Sequence, residues 1–153
     1  TDGTTFAAGQ GITGTGTYGS STSHTVNVRY QTASGDGLMN CQGRTNTSGA
    51  TETWVNSFAV DANHELTCSV NGGTAVALVS GVAQMTVLYG VDTTGSGDTD
   101  TYLDATTITG AGLWGNVHTA QFTLTFINPL ASQTGAAATL PNPWVQTISL
   151  MNN

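Results

Sequence analysis

The chain contains no lysine, and Arg29 and Arg44 are its only fixed cations against nine acidic residues, for a formal net charge of −7. Affinity for a phosphate backbone rests on Lys and Arg displacing counterions, so nucleic acid is excluded as a partner class and an anionic membrane surface is disfavoured. No run of about twenty apolar residues occurs, so no stretch reads as a bilayer-spanning helix, and no secretory leader opens the chain. The expectation is a domain that is soluble as it stands, or one whose membrane segment lies upstream of Thr1.

Cysteine is scarce as well. Cys41 and Cys68 stand 27 positions apart with no histidine pair beside them, which disfavours zinc. In a short, lysine-free, Thr-rich chain of extracytoplasmic character the two are expected to pair as a disulfide, worth about 3 to 4 kcal/mol by the chain-entropy estimate. Catalytic signatures are missing too. There is no Gly-x-Ser-x-Gly elbow and no Cys-His arrangement with a local signature, and nothing singles out a pair of carboxylates. The reading is therefore non-enzymatic, with no catalytic residues assigned.

What is present is Thr, Gly, Ser, Ala and Asn, a composition of strands and turns. One mainly β domain of antiparallel sheets is expected over residues 1–153. Residues 1–23 read as an irregular lead-in held by Phe6, Ile12 and Tyr18. Val26, Val28 and Tyr30 alternate with polar residues and describe a strand. Trp54, Phe58 and Val60, turned by Asp61-Ala62-Asn63 and returned by Leu66, Cys68 and Val70, describe a hairpin. A short strand follows from Ala75 to Val79. Two longer runs, Ala83-Met85-Val87-Tyr89 and Ala120-Phe122-Leu124-Phe126, have period two and one buried face each. The segment 103–112 has room for a turn of helix, residues 128–143 form a long loop with three prolines, and Trp144 to Met151 closes a sheet.

Between the two longest runs lies a Gly, Thr and Asp loop carrying Asp92, Asp98, Asp100 and Asp104. Calcium favours six to eight hard oxygens on a Gly-kinked loop, so these four are candidate ligands, although the spacing does not fit the EF-hand. The competing reading is an acidic turn whose Asp side chains cap local N–H groups. Asp92, Asp98, Asp100 and Tyr102 are the candidate partner surface. His24, His64 and His118 read as structural, and the sequon Asn46-Thr47-Ser48 carries no weight. Trp54, Trp114 and Trp144 read as core, with a sugar-stacking platform as the alternative, which keeps a secreted carbohydrate-binding module in view.

The order of the pieces then becomes distinctive: Val28-Arg29-Tyr30, Cys41-Gln42-Gly43, Val55-Asn56-Ser57-Phe58, Leu66-Thr67-Cys68, then Leu78 to Met85 and Tyr89-Gly90-Val91-Asp92, with Tyr102, Trp114, Val117 and a closing Thr147-Ile148-Ser149-Leu150. This resembles the soluble part of PilW-type minor pilins of type IV pili, related to the J-type pseudopilins of type II secretion, over about Thr25 to Asn153. The resemblance implies an α+β pilin class whose N-terminal helix, absent here, anchors the subunit in the inner membrane before assembly. It also implies a non-catalytic, extracytoplasmic subunit that helps initiate or cap a pilus by contacts with other minor and major pilins and a tip adhesin. Departures are the missing helix and the lack of basic residues near the last two strands.

Overall fold

The computed structural model describes residues 6, 7 and 9–150. Among them nine strands form two antiparallel sheets. The first is ordered β1-β2-β3-β4-β5, comprising β1 (Ile12–Thr15), β2 (Thr25–Thr32), β3 (Glu52–Val60), β4 (Glu65–Val70) and β5 (Val76–Ser80). The second is ordered β7-β6-β8-β9, comprising β6 (Val82–Val91), β7 (Thr101–Leu103), β8 (Val117–Phe126) and β9 (Trp144–Ser149). A helix, α1 (Ala105–Ala111), and a 3₁₀ turn at Trp114–Asn116 lie between β7 and β8. The mainly β expectation holds, and Cys41 and Cys68 are disulfide-bonded.

Alternation dictates the core. On β6 the residues Met85, Val87, Tyr89 and Val91 are fully or almost fully buried, and Ala120 on β8 faces the same way. Val82 is buried out of step with Met85 because the β6–β8 register shifts between Val82 and Gln84, which adds a residue to one strand. From the first sheet Ile12 and Val26 join this cluster, and from α1 so do Ala105 and Ile108. Trp114 covers Tyr89 edge-on, with ring centroids 4.9 Å apart.

The seven-residue helix is too short and Thr-rich to form on propensity alone. Its ends are fixed instead. Asp104 caps the N-terminus by accepting from the Thr107 N–H at 2.7 Å, and Gly112 turns left-handed with its N–H on the last carbonyls.

Two elements depart from the sequence reading. The lead-in is not wholly irregular: Ile12–Thr15 pairs with β2 as β1. Ile12 is buried and Phe6 lies against the Arg29 guanidinium at 4.7 Å, whereas the Tyr18 ring is exposed and that segment is held by its backbone N–H on Asp104. At the other end, β9 pairs with β8 and closes the second sheet as expected, but all six of its residues are exposed, so Trp144, read as core, is not buried. Met151 lies outside the described residues.

Candidate functional site

The Tyr89-Gly90-Val91-Asp92 stretch joins core to surface. The Tyr89 ring is completely buried. Its hydroxyl packs against Gly14, where a Cβ would collide with that hydroxyl and with the Thr25 carbonyl. Gly90 is required for the same reason, since a Cβ there would run into Thr119 and Thr99. Val91 ends the buried row, and Asp92 then turns the chain.

Asp92 is only 4% exposed. Its Oδ1 accepts from the N–H groups of Thr94, Gly95 and Ser96 at 3.0, 2.7 and 3.2 Å, and its Oδ2 accepts from Gly97 at 2.7 Å. Those bonds, the Gly97 N–H foremost and against an opposing contribution from desolvation, hold its carboxyl down to about 2. His118 Nε2 stands 4.0 Å from Oδ2. Asp100 closes the turn from the other side. It accepts from the Thr93 N–H and hydroxyl and from the Thr94 N–H, and its carboxyl is lowered by them. Asp104 is raised by burial but lowered further by the N–H groups of Tyr18 and Thr107, for a net decrease.

Asp92, Asp100 and Asp104 therefore point at the backbone rather than at one another. Among the described residues no three His, Cys, Asp or Glu side chains group as a metal cage. The capping-turn reading of this loop describes its geometry. Of the candidate surface residues, Asp92 turns inward, while Asp98, Asp100 and Tyr102 are exposed. The Asp98 carboxylate has no partner among the described residues, and the Tyr102 hydroxyl accepts from Thr119 at 3.3 Å.

The larger feature is one the sequence reading missed. On the side away from α1 the two sheets diverge and leave an open cleft of about 420 Å³. Its walls are Val26, Val28, Phe58 and Leu66 from the first sheet and Met85, Phe122, Leu124, Trp144 and Ile148 from the second, with Asn56 as its one polar side chain. Trp144 and Ile148 are 49% and 41% exposed there. Alternation revealed that these residues share faces but not that the faces part.

The tryptophans form no common platform. Trp54 is buried in the first sheet, Trp114 packs on Tyr89, and Trp144 lies at the cleft. The histidines are also apart. His24 is buried, its Nδ1 accepting from the Val87 N–H and its Nε2 donating to the Thr17 carbonyl, so it ties the start of β2 to β6. His64 lies on an exposed turn and His118 on β8. Asn46 is 1% exposed and donates its amide to Thr32 and Ala50, so its nitrogen is inaccessible to glycosylation in the folded chain.

No curated protein and no solved structure matches the chain. The model of the family described as type IV pilus-assembly protein W matches residues 61–139, which run from the β3–β4 turn through β6, the acidic loop, α1 and β8. That match takes in more than half of the chain, including the Tyr-Gly-Val-Asp element and, of the cleft, Leu66, Met85, Phe122 and Leu124, and the chain belongs to the PilW family of type IV pilus-assembly proteins.

Proposed function

We propose that this domain is the head of a minor pilin, a non-catalytic subunit that helps initiate or cap a type IV pilus through contacts with other pilins. It works outside the cytoplasm, held in the inner membrane before assembly by an apolar helix ahead of Thr1. The observation that carries this reading is the cleft. An almost wholly apolar slot between two sheets, with Trp144 and Ile148 open to solvent, is a surface completed by another apolar element. In this reading the pilin helix lies along the cleft, and the exposed turn carrying Asp98 and Tyr102 faces neighbouring subunits. Family membership and the disulfide support an extracytoplasmic assembly role.

The test is Ile148→Asp in the full-length subunit. Ile148 is exposed in the head, so the variant head should fold and oxidise normally, while a carboxylate in the slot should abolish piliation. Wild-type piliation by that variant would refute the cleft as an assembly surface.

A further inference from the structure

The last strand of an open sheet presents backbone N–H and C=O groups without partners, and native sheets guard such edges with shortness, charge, proline or a covering element. Three of the four edges here are accounted for. β1 is four residues long, with α1 packed against it and the Thr106 N–H on the Gly16 carbonyl. β7 has three residues and stands between Asp100 and Asp104. β9 borders the cleft. The fourth edge, β5, is unguarded by charge or proline, since neither a charged residue nor a proline occurs between Cys68 and Asp92. All five of its residues are exposed, Val76, Leu78 and Val79 by 47%, 43% and 43%. Beyond its pairing with β4, the strand makes no hydrogen bond among the described residues.

A bulge gives this edge a sided character. The β4–β5 register shifts so that Leu78 is an extra residue, which sets Val76, opposite Cys68, and Val79, opposite Leu66, on one face. That is the face by which Leu66 lines the cleft. A strand laid beside β5 would satisfy the open ladder and continue this apolar face, and the ladder itself dictates an extended occupant. A net charge of −7 on each copy opposes pairing of this head with itself. We propose that β5 takes an extended strand from the head of a different pilin, neutral or positively charged and apolar at its inward positions, so that the five-stranded first sheet is lengthened across the contact. The proposal rests on the minor-pilin reading and names one of the contacts which that reading requires.

The test uses the full-length subunit in piliated cells, with photoreactive p-benzoylphenylalanine in place of Val76, Leu78 or Ser80 in turn. Irradiation should join all three positions to one segment of another pilin's head, with the attachment sites stepping in order along that segment, as paired strands require. Val76→Lys together with Leu78→Lys, read from the crosslinker at Ser80, should lose the adduct, because lysines on a strand edge bar pairing. Both side chains are exposed, so this variant head should still fold and form the Cys41–Cys68 disulfide. No adduct, adducts scattered over several segments, adducts only to a second copy of this chain, or an adduct that survives both lysines would each overturn the proposal. Ile148 is not part of β5, so loss of piliation by Ile148→Asp alongside missing β5 adducts would strike the strand pairing and leave the minor-pilin reading standing.

Discussion

The two sheets carry apolar side chains of the same kind in two places, and only one of these is sealed. Beside β1, the helix α1 and Trp114 cover Val87, Tyr89 and Val91, leaving no exposure on any of the three. Beside β9, Phe122, Leu124, Trp144 and Ile148 line an open cleft. A seven-residue helix with two good caps accounts for the difference. The comparison shows that apolar alternation in a strand marks a face meant to be covered, without saying whether the cover lies within the same domain.

Substitutions on the two sides should separate these roles. Ile108→Ala, on the sealed side, empties a fully buried site and should cost about 2 to 5 kcal/mol in urea unfolding. Trp144→Ala, on the open side, should cost less than about 1 kcal/mol, because much of its ring is already in water. Equal losses would mean that the cleft is part of the folding core.

The disulfide belongs to the first sheet alone. Replacing Cys41 and Cys68 together by Ala should lower stability by about 3 kcal/mol through the freed unfolded chain. The fold of the second sheet should persist, which near-ultraviolet circular dichroism of the Tyr89–Trp114 pair would report.

The acidic turn makes a smaller, pH-limited contribution. Asp92 stays ionised in the fold down to about 2, whereas in the unfolded chain it protonates near its ordinary 3.8. Its stabilisation is therefore complete above the unfolded value and is lost as pH falls from about 4 towards 2. The lowered Asp36, Asp100 and Asp104 act in the same direction. Asp92→Asn should flatten the pH dependence of the urea midpoint across that window. An unchanged slope would show that the turn is not coupled to folding.

The smallest effect is expected at Tyr89. Its hydroxyl is buried without a hydrogen-bond partner among the described residues, and that burial raises its pKa. Tyr89→Phe removes the orphan group while keeping the ring on Trp114, so stability should be unchanged or rise by about 1 kcal/mol.

Much of the sheet architecture was legible because Val, Leu and Phe alternate over long runs and Asp-Ala-Asn marks a hairpin turn. The disulfide was legible from composition, and the backbone caps of Asp92 and Asp100 from the turn chemistry of Asp among Gly and Thr. Other parts were not legible. β1 has Ile12 as its only large apolar residue and is a strand because β2 pairs with it. The helix was legible only as room for a turn over 103–112, since it has no apolar period and exists through its caps and the burial of Ile108. The exposure of β9 and the parting of the sheets are tertiary facts, invisible to a pattern that records only which side chains share a face.

Hydroxyl-radical footprinting of the tryptophans tests the central claim most directly, comparing the isolated head with assembled pili. Trp144 should be strongly oxidised in the head and protected in the pilus, while half-buried Trp114 reacts equally in both. Equal oxidation of Trp144 in the two states would contradict the account, because the cleft would then remain empty in the assembly it is proposed to build.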